Sequence, residues 1–285
     1  MLEDIVYVLI YGFVFASLYG IMTVGFSFIC GLGGFYDIAL PAYLMVGGFL
    51  YVILSESLAG WALPVVVLST GVICLLHYLV FIKRIRDDAF VVFFATIFIA
   101  LIIQSIFEYF FTLSYIYNYP PIIDGHTTVL GVKLSKDLIV GGIIGWLALF
   151  GLRYLTQHTN IGRAIIAIPQ SPRGSQIIGI DITRVQSFVY FLGGLLLGLG
   201  GYFYGGYLGV NAHMWTHPLI IMFTITVAGG LGSIDGVMLA TLLIGFLEVA
   251  VVTLVDPRLK SVVILTVGLL ILIFRPRGFA GKRIG

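Results

Sequence analysis

The chain is predicted to be an all-α integral membrane protein, a polytopic bundle of about eight or nine transmembrane helices, some short or discontinuous. Of its 285 residues, 60% are hydrophobic and only 10% are charged, and the mean hydropathy is +1.12. A soluble domain is about 45–50% apolar and about 25% charged, so this chain has too little charge to cover a water-soluble surface. Its apolar runs are continuous and exceed the alternating segments of about 10 residues that form membrane barrel strands.

Charge balance and cysteine usage exclude further classes of protein. The 15 Lys and Arg residues against 13 Asp and Glu leave a net charge of +2, which argues against a nucleic-acid-binding protein. The apolar composition excludes a cytosolic enzyme and a disordered chain. Cys30 and Cys74 lie in apolar stretches and form neither a disulfide framework nor a metal motif, so no metal is expected.

Nine apolar segments are the predicted membrane spans, because a helix needs about 20 apolar residues to cross a bilayer. Three of them are short, and we expect these to be tilted, discontinuous or re-entrant, which is tolerated where protein surrounds the backbone. The segments cover residues 5–29, 38–54, 62–82, 89–113, 138–153, 185–210, 218–231, 237–255 and 261–274, of which 38–54, 138–153 and 218–231 are the short ones.

The distribution of positive charge predicts the orientation, because cytoplasmic loops are enriched in Lys and Arg. With nine spans, only four of the 15 basic residues lie on the side of the acidic Glu3-Asp4 start. We therefore expect a multi-pass protein of the cell membrane with its N-terminus outside and its C-terminus in the cytoplasm. The eleven basic residues on the predicted cytoplasmic side are Lys83, Arg84, Arg86, Arg153, Arg163, Arg173, Arg184, Arg275, Arg277, Lys282 and Arg283, and the four opposite are Lys133, Lys136, Arg258 and Lys260.

The glycine content is the second feature of the sequence that bears on the fold, since the chain has 36 glycines. Most fit faces of small residues that let helices approach closely. Two Gly-rich breaks, residues 31–34 and 229–232, fall at membrane depth, where irregular backbone usually lines a cavity. Gly229, Gly230, Gly232 and the adjacent Ser233 are therefore candidates for the substrate pathway.

The predicted cytoplasmic loop 154–184 differs from the other loops. Pro169 and Pro172 allow two short helices at most, because the residue before a proline is disfavoured in helical dihedrals. A solvated linker would not carry so many isoleucines, and a membrane span would not carry several arginines and two prolines. An amphipathic element that docks on a cytoplasmic partner suits this composition, and a helix lying on lipid headgroups is the alternative. The isoleucines are Ile165, Ile166, Ile168, Ile177 and Ile178.

Four motifs follow one another along the chain. The loop carries Gly162-Arg163-Ala164 and later Ile178-Gly179-Ile180; residues 229–236 read Gly-Gly-Leu-Gly-Ser-Ile-Asp-Gly; residues 275–279 read Arg-Pro-Arg-Gly-Phe; and the spacing of Gly12 and Gly25 is followed by Gly-Leu-Gly-Gly. In their order along the chain, and over essentially its whole length, these motifs resemble those of the permease subunits of branched-chain amino acid ABC transporters. Each motif alone is weak evidence for this family, whereas the four together, in order, are strong evidence.

The resemblance implies a single transmembrane permease domain over residues 1–285, with 154–184 as its cytoplasmic coupling loop. Such a subunit works by alternating access with a second permease subunit (identical or a paralogue), two cytoplasmic ATPase subunits and an extracytoplasmic solute-binding protein. No catalytic residue and no bound cofactor are expected in this chain, and the lack of a Gly-x-x-x-x-Gly-Lys-Ser/Thr loop in the sequence agrees that ATP is used by a partner. The ATPase-coupling residues implied are Gly162, Arg163, Ala164, Ile168, Arg173, Ile177, Ile178, Gly179 and Ile180, with Ala164, Ile168, Ile177 and Ile178 as apolar anchors and Arg163 and Arg173 at the rim.

One stretch departs from the family pattern. Many members carry Asn-Phe-Ala-His-Gly entering the second span, where this chain has Asp37-Ile38-Ala39-Leu40-Pro41. The solute, most simply a branched-chain or related amino acid, therefore need not be leucine, isoleucine or valine. Related permeases carry other amino acids, urea or short amides.

Ionisable residues inside spans are expensive in lipid and are candidates for function. Glu248 is predicted to lie in the middle of its span, where it either hydrogen-bonds a neighbouring helix or faces the substrate pathway. For Asp37, a solvated or helix-capping role and a substrate contact are both open, and Glu108 is expected near the outer interface. His213 and His217 have a spacing of four residues that could suit a metal, although no third ligand lies nearby in the sequence.

Two other functions fit the sequence less well. A self-sufficient channel or ion-coupled transporter for an amide or urea would need intramembrane charge pairs, which three scattered carboxylates hardly supply. An intramembrane aspartyl protease needs two facing carboxylates. Here Ser233 follows Gly232, and Asp235 comes two positions too late for the Gly-x-Gly-Asp motif.

Overall fold

The computed structural model describes residues 2–111, 115–275 and 278–279. Its regular elements are almost all helices, which confirms the predicted all-α bundle. A small hairpin of strands β1 (His126–Val129) and β2 (Val132–Ser135) precedes α6. In chain order the helices are α1 (Leu2–Gly33), α2 (Leu40–Leu58), α3 (Ala62–His77), α4 (Lys83–Ile85), α5 (Ala89–Phe110), α6 (Lys136–His158), α7 (Asn160–Gln170), α8 (Pro172–Ile177), α9 (Ile182–Leu208), α10 (Thr216–Gly229), α11 (Ile234–Leu254) and α12 (Lys260–Phe274).

Each of the nine predicted spans falls on a helix. Within the described residues, eight helical segments are long and apolar enough to cross a membrane, and α10 is a ninth apolar helix of only 14 residues. The prediction that 38–54 and 138–153 are short is wrong, because polar residues continue both helices, to 19 residues in α2 and 23 in α6. Residues 112–113 of the predicted span 89–113 lie outside the described part of the chain.

Helix α1 lies at the centre of the bundle. It packs along α6, α9, α10 and α11, and every residue from 14 to 30 is buried. Glycines at the crossings let backbones touch: a Cβ on Gly25 would lie 2.9 Å from the Cα of Gly193 on α9. A Cβ on Gly47 of α2 would lie 3.0 Å from the Cα of Gly198. These contacts are the close helix packing expected from the glycine content.

The two ends of the bundle are distinct. The hairpin turns at Leu130 and Gly131, both at positive φ (51° and 87°), as a type I′ turn requires. The Tyr11 hydroxyl donates a 2.9 Å hydrogen bond to the Lys133 carbonyl, which ties the start of α1 to the hairpin. We call this the hairpin end, and the opposite end, which carries α7 and α8, the short-helix end. The charge distribution predicts that the short-helix end is cytoplasmic.

Helix α3 changes its winding near the short-helix end. After His77 it continues as a π-helical turn, Tyr78–Ile82, which leads into α4. The Tyr78 hydroxyl donates a 2.8 Å hydrogen bond to Gln186 Oε1 on α9, and Arg86 Nη1 donates to the same oxygen at 2.6 Å. The end of α3 is therefore tied to the start of α9. Such π turns occur frequently at functional sites.

Candidate functional site

The predicted coupling loop forms two short helices, α7 and α8, in agreement with the limit set by its prolines. Polar side chains start both of them. Thr159 Oγ1 accepts a 3.0 Å hydrogen bond from the Gly162 amide, and Ser171 Oγ accepts one of 3.1 Å from the Gly174 amide. Side-chain oxygens at these positions satisfy amides that the first helical turn leaves free.

Gly162 lets α7 fold back on the end of α6. A Cβ at this position would overlap the Leu155 carbonyl oxygen and the Cα of Thr156, so any side chain would push the two helices apart. Helix α7 also packs on α1 and α9. The first motif of the loop therefore seats α7 on the transmembrane bundle.

Two of the apolar side chains predicted to anchor a partner are buried on α7. Ala164 and Ile168 are only 9% and 2% exposed, because the apolar face of α7 packs against this chain's own helices. In this structure both side chains therefore face the bundle, and their role as anchors for a partner stays a prediction. Gly179 is exposed and adopts a positive φ of 85°. The chain therefore turns there, between the end of α8 and Ile180, which is half-buried.

A second set of side chains in the loop is exposed. Ile177 and Ile178, side by side at the end of α8, are 85% and 74% exposed. On α7, Ile161 and Ile166 are 44% and 41% exposed. Exposed apolar side chains bordered by polar residues are typical of an interaction site. We define the coupling surface as Ile161, Arg163, Ile166, Arg173, Ile177 and Ile178, all of them exposed.

The Gly-rich turn between α10 and α11 is a packed junction. Gly230 and Gly232 have positive φ values of 92° and 73°, and Ser233 caps α11 by accepting a backbone N–H. A Cβ on Gly229 would lie 2.7 Å from the backbone of α11, and one on Gly31 of α1 would lie 2.5 Å from the Cα of Gly232. These contacts account for all four predicted residues as structural groups. Their place in the substrate pathway stays a prediction.

Two more contacts hold this junction at the short-helix end. Arg153 Nε on α6 lies 2.8 Å from Asp235 Oδ1 at the start of α11. The Phe279 amide donates a 2.8 Å hydrogen bond to the Ala228 carbonyl, which folds the C-terminal motif onto α10. Other members of that motif and of the basic C-terminus lie outside the described residues: Pro276, Arg277, Lys282 and Arg283.

Asp37, between α1 and α2, is completely buried and links three helices. Its Oδ2 lies 3.0 Å from Nε2 of His77 on α3 and accepts a 3.0 Å hydrogen bond from the Tyr190 hydroxyl on α9. Its Oδ1 accepts a 3.1 Å hydrogen bond from the Ala39 amide at the start of α2. The carboxylate therefore has the capping role that the sequence left open, and it is not solvated. Sequence reasoning missed both side-chain partners.

Glu248 lies nearer the hairpin end than predicted. Helix α11 ends at Leu254, six residues beyond it, so about 9 Å of helix separates the carboxylate from that end. The predicted span 237–255 left seven residues after Glu248, whereas α11 leaves six and starts three residues earlier, at Ile234, so Glu248 lies in the last third of the helix. Glu248 is 6% exposed, and its Oε1 lies 3.5 Å from Lys260 Nζ and 3.8 Å from His217 Nε2.

The structure separates His213 from His217. His213 Nε2 lies 3.4 Å from Oε1 of Glu108, which also accepts a 2.7 Å hydrogen bond from Gln104 Nε2. His217 instead faces Glu248. Within the described ranges, no group of three or more His, Cys, Asp or Glu side chains is placed to hold a metal ion.

Comparisons with known proteins add to this geometry. The chain matches the family described as "Branched-chain amino acid transport system / permease component" over residues 8–273. It is 30% identical to the high-affinity branched-chain amino acid transport system permease protein BraD of Pseudomonas aeruginosa, over 55% of this chain and 52% of BraD. It is 22% identical to the permease protein LivH of the same kind of system in Escherichia coli, over 95% of this chain and 94% of LivH.

A third relative has another name. The ribose import permease protein RbsC of Escherichia coli is 28% identical over 33% of this chain and 32% of its own length. The chain thus spans about half the length of BraD, nearly all of LivH and a third of RbsC. No solved structure matches the chain. Since the family match covers all the described transmembrane helices but their outermost residues, this multi-pass membrane protein belongs to the permease components of branched-chain amino acid transport systems.

Proposed function

We propose that this chain is the permease subunit of an ABC importer in the plasma (cytoplasmic) membrane and moves a small polar solute inward by alternating access. The path runs between this chain and a second permease subunit, identical or a paralogue. Two cytoplasmic ATPase subunits drive the cycle, and an extracytoplasmic binding protein delivers the solute. The chain itself carries out no chemical reaction and binds no ATP.

The observation that carries this proposal is the two-sided construction of α7 and α8. One face of α7 packs on α1, α6 and α9, so movement of α7 is passed to the centre of the bundle. The other side exposes the coupling surface, with Ile177 and Ile178 as its most exposed apolar groups. Apolar anchors carry most of the binding energy of an interface, while charges at its rim mainly steer association.

The solute proposed is a branched-chain or related amino acid. The support is the family match and the names of BraD and LivH, which are permease proteins of branched-chain amino acid systems. The change to Asp37-Ile38-Ala39-Leu40-Pro41 leaves room for a different amino acid, since Asp37 fixes the start of α2 through buried contacts that an Asn would make differently.

The test is a charge placed on the coupling surface. We expect the double variant Ile177→Asp with Ile178→Asp to insert normally, because both side chains are exposed and make little contact within the chain. It should lose co-purification with the ATPase subunit and ATP-dependent uptake in proteoliposomes by about tenfold or more. The matched control is Leu130→Asp, since Leu130 is 82% exposed at the hairpin end.

The outcomes separate two functions. If the control keeps the ATPase and the double variant loses it, the importer proposal stands. If the double variant co-purifies with the ATPase and transports as the unmodified chain does, the coupling role is wrong. A self-sufficient channel or ion-coupled transporter for an amide or urea would then be the better assignment.

A further inference from the structure

Three helices bring titratable side chains together near the hairpin end. Glu248 comes from α11, His217 from the first turn of α10 and Lys260 from the start of α12. Glu248 Oε1 lies 3.5 Å from Lys260 Nζ and 3.8 Å from His217 Nε2. The Lys260 and His217 side chains are 29% and 20% exposed and the Glu248 side chain is 7% exposed, so the cluster lies just beneath the surface of this chain.

Two polar atoms of this group have no hydrogen-bond partner among the described residues. One is Glu248 Oε2, an acceptor, and the other is His217 Nε2. The Tyr204 hydroxyl lies 2.8 Å from His217 Nδ1, and we assign the hydroxyl as the donor, which leaves the ring proton on Nε2. The cluster therefore offers one unused acceptor and one unused donor. Buried polar groups are normally paired, so an unpaired acceptor beside an unpaired donor suits a ligand that supplies the two complementary groups.

An aromatic ladder leads from the start of α1 to this group. Tyr7 stacks on Tyr11 with ring centroids 4.3 Å apart, and Phe15 follows one turn later, 5.7 Å from Tyr19. The ring of Tyr207 on α9 packs edge-on against Phe15 at 4.9 Å. Helical side chains point back toward the N-terminus, so the Tyr19 hydroxyl lies within hydrogen-bonding reach of the Glu248 carboxylate, whose Oε2 is the unpaired oxygen. Aromatic faces attract an ammonium group, most strongly where water is excluded.

We propose that the cluster of Glu248, His217 and Lys260 binds a zwitterionic α-amino acid by its two charged ends. The ammonium binds Glu248 Oε2 beside the aromatic ladder, and the carboxylate binds Lys260 Nζ and His217 Nε2. This deepens the proposed import function and rests on it. The side chain of the solute takes no part, so the cluster accepts different amino acids and rejects sugars and urea, which lack both charges.

The charge pattern favours this ligand over simpler ones. A cation alone would leave His217 Nε2 unpaired and would face Lys260, and an anion alone would leave Glu248 Oε2 unpaired. Charge-assisted hydrogen bonds to a buried carboxylate or ammonium are the strong ones, so each end of the ligand should be needed for binding.

The experiment uses the full permease complex in nanodiscs without the solute-binding protein. Any preference for one ligand over another then comes from the membrane subunits. Saturation-transfer-difference NMR measures binding of L-leucine, of 3-methylbutylamine, which lacks the carboxylate, and of 4-methylpentanoate, which lacks the ammonium. We expect leucine to bind the unmodified complex about tenfold or more tightly than either analogue. Ribose and urea should give no signal.

Two variants that each remove one charge from the cluster give opposite results if the proposal holds. Glu248→Gln should weaken the binding of leucine by about tenfold. It should abolish the binding of the amine analogue and leave that of the carboxylate analogue unchanged. Lys260→Gln should abolish the binding of the carboxylate analogue and leave the binding of the amine analogue unchanged. The control is Glu108→Gln, since Glu108 pairs with Gln104 and His213 outside this cluster.

Failure of this inference can be told from failure of the import function. If the unmodified complex binds leucine no better than either analogue, or both variants lose both analogues alike, the cluster only joins helices and the inference is wrong. This measurement on the unmodified complex stands even where a variant does not assemble. If no ATPase co-purifies with the unmodified chain, the import function itself fails, whatever the cluster binds.

Discussion

Replacing the buried carboxylate of Asp37 gives the sharpest test of the packing at the short-helix end. Asp37→Ala would leave three groups without their acceptor: His77 Nε2, the Tyr190 hydroxyl and the Ala39 amide, each now 3.0–3.1 Å from a carboxylate oxygen. A buried polar group without a partner costs about 1–3 kcal/mol, and breaking a buried pair costs about 3–5 kcal/mol. We expect the free energy of unfolding to fall by about 3–5 kcal/mol.

Asp37→Asn is the conservative comparison. The amide keeps the size of the side chain and one acceptor oxygen, so helix capping survives and the loss should be about 1–2 kcal/mol. The control is Asp87→Ala, an exposed residue after α4, for which we expect a change within about 0.5 kcal/mol.

The assay is a denaturation titration with SDS of the chain purified in mild detergent, followed by intrinsic fluorescence or circular dichroism. The reasoning is refuted if Asp37→Ala unfolds like the control. It is also refuted if Asn and Ala cost the same, because the retained oxygen would then contribute nothing.

Two further predictions concern the membrane and the helix crossings. For the orientation, we expect cysteine introduced at His126 to be labelled by an impermeant reagent on intact cells and cysteine at Arg173 to be unlabelled; labelling at 173 alone would invert the topology. For the crossings, Gly31→Ala should lower the free energy of unfolding by about 1–3 kcal/mol, because its Cβ would meet the backbone at Gly232. Gly151→Ala, where a Cβ meets open space, should raise helix stability by up to about 1 kcal/mol, and equal effects of the two alanines in a thermal melt would contradict the close contact.

The transmembrane helices could be predicted from the sequence because lipid imposes one rule on long segments, namely continuous apolar length. The same rule says nothing about where a helix begins outside the apolar run. Helix α11 starts at Ile234, ahead of the predicted 237, and α6 starts at Lys136, a charged residue. These additions lengthened α11 by three residues ahead of the predicted span and made α6 a full-length helix.

The site residues were harder to predict, because the sequence does not say which face of a helix meets its own bundle. Helix α7 has apolar residues on more than one side, and only the packing on α1, α6 and α9 shows that Ile168 is inside and Ile166 outside. Long-range partners leave no local signal either. Asp37 pairs with His77 and Tyr190, which are 40 and 153 positions away in the chain.

The central position of α1 has a consequence for how the protein is made. This helix leaves the ribosome before its neighbours α6, α9, α10 and α11, and α11 ends at Leu254. At roughly 5–20 residues per second, translation from the end of α1 to that point takes on the order of ten to forty seconds. Over this interval Ser17, Thr23 and Ser27, all buried in the finished bundle, face lipid or the insertion machinery. A chain that stops before α9 therefore leaves α1 in the bilayer without most of its partners, so truncated products should be caught by membrane quality control rather than persist as half-permeases.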